Sequence, residues 1–193
     1  MKKLATLFQD SYHELFRART LTLCAMFGAL AIVLEQFTIK VGTFKLGISG
    51  LPNELVHFLF GPVVGATFGG AMDILKFLMK PDGGFFFGYT LTAITAGLIY
   101  GAFWYKRPLS LPRILAARLA VILVCNLCMN TLWISMTTGK AFLAILPARA
   151  IKNITMWPVD SLLFFIVAGA LERSGVFREL RSNVIQKGSK IKA

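Results

Sequence analysis

Charged residues are scarce in this 193-residue chain, where Asp, Glu, Lys and Arg together make up 16% of the sequence. Apolar residues make up 56%, and the mean hydropathy is +0.67. This balance excludes a soluble globular protein and predicts one integral membrane domain. Acidic residues are the scarcest, with nine against 21 basic residues and a net charge of +12. Because the cations concentrate at the ends of apolar segments, anionic headgroups and membrane topology explain the excess, and nucleic acid is not expected as a partner.

Cysteine is also rare, and the three cysteines, Cys24, Cys125 and Cys128, lie inside apolar segments. This placement argues against an extracellular disulfide framework and indicates small apolar fillers. The Cys-Asn-Leu-Cys spacing has no second pair, so a metal site is not expected. The sequence also lacks a nucleophile with its base, a Walker loop and a paired acid and base. We therefore expect neither an enzyme nor a bound cofactor.

Six apolar runs are candidate membrane helices when their lengths are compared with the roughly 20 residues that cross a bilayer. They are Leu21–Phe37, Ile48–Phe60, Pro62–Met79, Tyr89–Tyr105, Ile114–Met136 and Ile145–Leu171. The second run is short and polar at its centre, so it either crosses or re-enters. A full crossing places both basic termini in the cytoplasm, where segments beside membrane spans accumulate Lys and Arg. Six crossings are therefore expected.

The predicted fold is an all-α integral membrane bundle of six transmembrane helices with a short N-terminal interfacial helix. Apolar residues spaced among charged ones between Leu4 and Phe16 predict that interfacial helix. Gly61 and Pro62 predict a tight cytoplasmic turn between the second and third spans. The chain is expected to form a single domain, 1–193, with a cytoplasmic interfacial segment at 1–19, a six-helix core at 20–172 and a basic cytoplasmic tail at 173–193.

Fourteen of the 21 cations occupy the three places that are expected to face the cytoplasm. These are Lys2, Lys3, Arg17, Arg19, Lys106, Arg107, Arg113, Arg118, Arg173, Arg178, Arg181, Lys187, Lys190 and Lys192. The other seven lie at the opposite ends of the apolar segments or just inside them, at Lys40, Lys45, Lys76, Lys80, Lys140, Arg149 and Lys152. Cations on the side where they are usually sparse predict a site for an anion.

The fifth predicted span carries a polar stripe of Asn126, Asn130 and Trp133, which recur at i, i+4 and i+7 and so share one helix face. A lipid-facing amide would have no partner, so this face is expected to turn to the bundle interior. There the amides either link helices or bind a ligand.

The sixth predicted span has a second stripe, formed by Arg149, Asn153, Met156 and Asp160 with Lys152 beside it. A charge near the centre of a span costs roughly 2.5–3.5 kcal/mol, so the stripe predicts partners or a water-filled cavity. Arg149 and Lys152 lie near the outer end, where they either bind an anion or reach the headgroups. Asp160 lies deeper, and its simplest role is as a counter-ion to a neighbouring helix.

Two further polar groups lie on the second and third spans. Asp73, Lys76 and Lys80 recur at i, i+3 and i+7, which predicts either an Asp73–Lys76 ion pair or a part of the anion site. Glu54 and His57 form one Glu-x-x-His unit, and without a second copy a di-metal site is not expected. Glu54 is better suited to accept hydrogen bonds, either from a neighbour or from the N–H groups of a heterocycle.

The predicted outer loops are rich in glycine and aromatic residues. In the loop after the third span, Phe85, Phe86, Phe87 and Tyr89 predict either an interfacial aromatic belt or a lid over a planar ligand.

Two stretches of the chain have a familiar pattern. One runs from Leu59-Phe-Gly-Pro-Val-Val-Gly to Asp73-Ile-Leu-Lys-Phe-Leu-Met-Lys-Pro, and the other combines Asn130-Thr-Leu-Trp and Gly139-Lys-Ala-Phe with Leu146-Pro-Ala-Arg-Ala-Ile-Lys-Asn. They resemble the substrate-binding S components of energy-coupling-factor (ECF) vitamin transporters, most closely the folate-specific ones. The resemblance extends from about residue 21 to 171, and the Pro-Asp-Gly-Gly of the third loop departs from the Pro-Thr-Gly-Pro expected there.

The resemblance implies a prokaryotic cell-membrane protein with six helices and a vitamin site that opens to the outside. It also implies a transmembrane coupling (T) protein and two cytoplasmic ATPase subunits as partners. Ala25-Met-Phe-Gly-Ala29 matches the Ala-x-x-x-Ala motif that this family places against the coupling protein. Independently of any family, Thr22, Ala25 and Ala29 form a small-residue face, which permits close helix approach either to a partner or within the subunit.

The side chains fit a folate or reduced folate, because a pterin has a donor-rich edge and a glutamate tail carries two carboxylates. For the ring we assign Asn126, Asn130, Trp133 and Asn153, with Glu54 as a further candidate. For the carboxylates we assign Lys76, Lys80, Arg149 and Lys152, and Asp73 completes the candidate site. The alternatives are another vitamin, or a membrane enzyme that would depend on Glu54, His57 and Asp73.

Overall fold

The computed structural model of the chain describes residues 2–36, 39–41, 44–46, 49–79 and 84–173. Its elements are α1 (Lys2–Leu15), α2 (Ala18–Gln36), β1 (Ile39–Val41), β2 (Phe44–Leu46), α3 (Leu51–Met79), α4 (Phe87–Trp104), α5 (Leu111–Val121), a π-helical segment (Ile122–Met129), α6 (Asn130–Thr138) and α7 (Phe142–Arg173). The fold is therefore helical apart from a short antiparallel hairpin, which the all-α prediction did not include. In that hairpin the register pairs Lys40 with Lys45.

Within the described ranges, four helices are long and apolar enough to cross a membrane. They are Ala18–Gln36, Leu51–Met79, Leu111–Thr138 and Phe142–Arg173, the third of which combines α5, the π-helical segment and α6. The prediction of a helical membrane protein is confirmed at this level. The expected cysteine roles are met in part, since Cys125 is buried whereas Cys128 is exposed.

A break at Gly61 divides α3 into limbs 51–60 and 62–79, at the position where the sequence predicts a turn. Gly61 has φ 88° and ψ −168°, a conformation that L side chains rarely adopt. A Cβ on Gly61 would also lie 2.8 Å from the Tyr105 ring and 3.0 Å from the hydroxyl of Ser11. Only glycine fits this point, and Pro62 then starts the second limb without a backbone N–H to satisfy.

The N-terminal helix α1 closes over this break through one buried side chain. The Ser11 hydroxyl donates to the carbonyl of Phe60 over 2.8 Å. It accepts the backbone N–H groups of Val63 at 3.0 Å and Val64 at 3.2 Å. Three hydrogen bonds use the full capacity of a hydroxyl and replace part of the helical pairing that the break removes. An ion pair of 2.7 Å from Lys106 to Asp10 holds the same helix to the loop after α4.

Glycines let α3 and α4 approach more closely than larger residues would allow. A Cβ on Gly97 would lie 2.5 Å from the carbonyl oxygen of Gly65, and a Cβ on Gly69 would lie 2.8 Å from the carbonyl oxygen of Ala93. Contacts of this kind are typical of helix pairs in membranes, where packing replaces the hydrophobic effect as the source of association.

The buried core is formed mainly by α3, with residues of α4, α5 and α7, and it contains an aromatic stack. Trp104 stacks on Tyr100 with 4.4 Å between ring centroids and on Phe164 of α7 with 4.6 Å. The His57 ring of α3 also stacks on Tyr100, with 6.0 Å between ring centroids. The stack ties α3, α4 and α7 together at the end of the bundle that carries α1, which we call the α1 end. The opposite end, where α2 leads into the hairpin and α6 into α7, is called the hairpin end.

Candidate functional site

Three asparagines that the sequence predicts as site residues form a hydrogen-bonded chain. The Asn130 amide donates to the Asn126 side-chain oxygen over 3.3 Å, and the Asn126 amide donates across to the Asn153 side-chain oxygen over 3.1 Å. Asn126 lies in the π-helical segment. The wider turn of a π-helix shifts the helix faces, and such segments are common at functional sites. The amide chain therefore links α6 and the π-helical segment to α7, and all its side chains are only partly buried.

Trp133 lies next to the amide chain but its indole N–H is already bonded. It donates to the Thr92 hydroxyl of α4 over 3.0 Å. Its ring packs against Phe86, with 5.5 Å between centroids. A Cβ on Gly88 would lie 2.7 Å from the Trp133 ring, so the bare start of α4 leaves room for this aromatic pair. Trp133 can thus offer a ring face to a ligand. Phe86, from the loop between α3 and α4, is the aromatic residue that packs beside it.

Arg149 lies one helical turn from Asn153 toward the hairpin end. The Asn153 amide donates to the backbone carbonyl of Arg149 over 2.8 Å, so the two residues are held in a fixed relation on α7. The Arg149 Nε is buried and has no hydrogen-bond partner among the described residues. A guanidinium with an unused donor beside three amides is suited to an anionic group such as a carboxylate.

The structure places Glu54 in an ion pair and not beside the amides. The Arg118 Nη2 lies 2.6 Å from the Glu54 carboxylate, and Nη1 lies 3.6 Å from the carboxylate of Asp160. The expected counter-ion for Asp160 on a neighbouring helix is therefore Arg118. The assignment of Arg118 to the cytoplasmic cations was wrong, because this side chain is buried between α3 and α7. The signal available in the sequence was its place inside the predicted span Ile114–Met136.

Lys76 and Asp73 of the third span also have partners other than those that their spacing suggests. The Lys76 ammonium pairs with Glu35 of α2 at 3.0 Å, and Asp73 accepts a hydrogen bond from the Thr90 hydroxyl at 2.7 Å. The predicted Asp73–Lys76 ion pair is therefore replaced by contacts to neighbouring helices. Lys80 lies outside the described residues. Lys152 precedes Asn153 on α7 and is half-buried.

Ala25 and Ala29 lie on the exposed side of α2, on the wall of an apolar groove between α2 and limb 62–79 of α3. The groove has a volume of about 500 Å³, and Phe68 and Met72 form part of its opposite wall. Thr20, Gly28 and Ala31 are the buried residues of α2, and Thr20 and Gly28 line the same groove, whereas Ala25 and Ala29 are exposed. The two alanines are thus accessible from outside the subunit.

The chain matches one family over most of its length. The model of the family described as ECF transporter, substrate-specific component, matches residues 19–168. Two similar proteins are both named folate transporter FolT. The one from Clostridium novyi (strain NT) is 31% identical over 137 residues, which cover 70% of this chain and 80% of the relative. The one from Leuconostoc mesenteroides subsp. mesenteroides is 29% identical over 148 residues, covering 74% and 80%.

Solved structures agree with the sequence relatives. The chain superimposes with a TM-score of 0.70 on a crystal structure of FolT bound with folic acid, which is 28% identical in sequence. The match covers 78% of this chain and 91% of the other. These findings confirm the resemblance noted in the sequence and exclude the membrane-enzyme alternative. The chain belongs to the substrate-specific components of ECF transporters, a family of membrane transport proteins.

Proposed function

We propose that this protein captures folate or a reduced folate from outside the cell and delivers it through an ATP-driven ECF transporter complex. The observation that carries the proposal is the chain of Asn130, Asn126 and Asn153 with Arg149 at its end. Amides that can both donate and accept suit a pterin, and a guanidinium with an unused donor suits a carboxylate. The names of the two relatives and of the folic-acid-bound neighbour support the same ligand.

The ligand lies lengthwise along α7 in this proposal, with its ring at the amide chain and its glutamate toward the hairpin end. Trp133 and Phe86 offer ring faces for stacking beside the amides. Arg149, with Lys152 and Lys80, binds the glutamate carboxylates. Lys76 is a weaker candidate than the sequence alone suggested, because Glu35 already neutralises its charge.

The chain crosses the membrane six times if each of the two limbs of α3 forms a separate crossing. The break at Gly61 and the antiparallel course of α4 support this count. Both termini then lie in the cytoplasm of a prokaryotic cell, with α1 at the membrane interface. Tyr12 and Phe16 of this N-terminal segment are exposed, as expected for side chains that reach into the lipid.

The groove beside Ala25 and Ala29 is the surface that binds the T protein, which in turn connects to two ATPase subunits. Its support is physical: the alanines are exposed, and the groove is lined by apolar residues. Small side chains on a lipid-facing helix allow another helix to approach closely.

Calorimetric titration of the detergent-purified chain tests the proposal. Folate should bind with one molecule per chain, and thiamine and riboflavin should give no heat. Binding of thiamine or riboflavin in the absence of folate binding would overturn the choice of ligand, while leaving the family assignment intact.

A further inference from the structure

A second polar cluster lies about two helical turns from the amide chain, toward the α1 end. Asp160 follows Asn153 by seven residues on α7, and Arg118 of α5 precedes Asn126 of the π-helical segment by eight residues. Each separation is two helical turns, or about 10–12 Å. Arg118 and Asp160 therefore lie on the same two continuous helices as the amide chain, and Glu54 joins them from α3.

The two carboxylates of this cluster are used unequally. Arg118 is committed to Glu54 at 2.6 Å, and these side chains are only 9% and 13% exposed. Asp160 lies 3.6 Å from the guanidinium, which is too long for a hydrogen bond, and its side chain is 40% exposed. A carboxylate so accessible within an apolar helix indicates a polar cavity or a ligand.

The charge of the cluster selects the kind of ligand that fits it. Two carboxylates against one guanidinium leave a formal charge of −1. The charge of Lys152 also stabilises the Asp160 carboxylate, but Lys152 lies eight residues, or about two turns, nearer the hairpin end on α7. A group that donates hydrogen bonds without carrying negative charge therefore suits Asp160, whereas an anion does not.

We infer that Asp160 is the specificity-determining residue for the ring, accepting the adjacent N–H and amino donors of an aminopyrimidine edge. Arg118, held by Glu54, is the counter-ion of the Asp160 carboxylate at 3.6 Å and leaves its oxygens free to accept hydrogen bonds from the ring. This inference rests on the proposed function. It assigns to Asp160 the hydrogen bonds to the ring that the sequence analysis assigned to Glu54. Asp160 and Arg149 are eleven residues apart on α7, or about 16 Å, so they lie at the two ends of an elongated ligand.

Two ligands test the inference, folic acid and a folic acid analogue whose ring 2-amino group is replaced by methyl. The wild-type chain should bind folic acid at least tenfold more tightly than the analogue, as measured by calorimetry. Asp160→Asn should weaken binding of folic acid at least tenfold and change the analogue's affinity much less. Arg149→Ala should weaken both ligands by the same factor, since both keep the glutamate.

The outcomes separate this inference from the proposed function. A wild-type chain that binds neither ligand overturns both. A wild-type chain that binds the two equally overturns the role of Asp160 and leaves folate binding intact, and this result does not depend on any variant folding. Unchanged folic acid affinity in Asp160→Asn, in a chain that melts at the wild-type temperature, has the same meaning.

Discussion

Replacing Arg149 with alanine should weaken folate binding without unfolding the protein. The guanidinium is only partly buried and its Nε has no partner among the described residues, so few protein contacts are lost. A hydrogen bond to a charged group contributes about 1.5–3 kcal/mol, so its loss should increase the dissociation constant roughly 10- to 150-fold. Calorimetric titration of the purified variant measures this change directly, and its melting temperature without ligand should equal that of the wild type.

A pterin that lacks the glutamate provides the control ligand for this variant, because its binding should not depend on Arg149. Arg113→Ala provides the control variant: Arg113 also carries a guanidinium, but it donates to the Pro108 carbonyl in the loop at the α1 end. It should bind folate as the wild type does. If Arg149→Ala also binds folate with unchanged affinity, the guanidinium reaches the headgroups and takes no part in recognition.

Three further predictions test other parts of the molecule. Asn130→Ala should weaken folate and the glutamate-free pterin alike, by about 0.5–1.5 kcal/mol, and an effect on folate alone would place the ring elsewhere. Ser11→Ala should lower the free energy of unfolding, measured by thermal melting, by about 1–3 kcal/mol, because backbone groups at the α3 break lose their hydrogen-bond partner. The control variant Thr67→Ala removes an exposed hydroxyl and should have little effect. Ala25→Trp combined with Ala29→Trp should keep folate binding but abolish ATP-dependent uptake by vesicles that contain the full complex; persistent uptake would place the coupling surface elsewhere.

The periodicity of the sequence predicts the helices and the face on which each polar residue lies. Asn126, Asn130 and Asn153 were found this way, because an i, i+4 spacing fixes two of them on one side of a helix and the amides need polar partners. The α3 break was predicted from Gly61 and Pro62, whose backbone preferences are local. Features that depend on a few neighbouring residues are therefore accessible from the sequence.

Contacts between helices could not be predicted from spacing alone. Lys76 is three residues from Asp73, but it pairs with Glu35 because the ends of α2 and α3 lie side by side. Arg118 and Glu54 are 64 residues apart, and their pairing depends on how α3 and α5 are rotated about their axes. A hydrophobic pattern sets that rotation only coarsely, so partner choice requires the packed structure.

The role of the N-terminal helix was likewise only half predicted. Its amphipathic pattern indicates a helix at an interface, and α1 is indeed helical. Its attachment is not visible in that pattern, because Ser11 is a small polar residue whose partners at Phe60 and Val63 lie about 50 residues away. The hydroxyl becomes meaningful only once the break at Gly61 exposes backbone groups beside it.

A crystal structure of this protein with bound folic acid tests most directly that the ligand lies lengthwise along α7. We expect the pterin beside the amides of Asn126 and Asn153, its amino edge toward Asp160, and the glutamate carboxylates within hydrogen-bond distance of Arg149. Electron density with the glutamate at Asp160 and the ring at Arg149, or with folic acid away from α7 altogether, would contradict this arrangement.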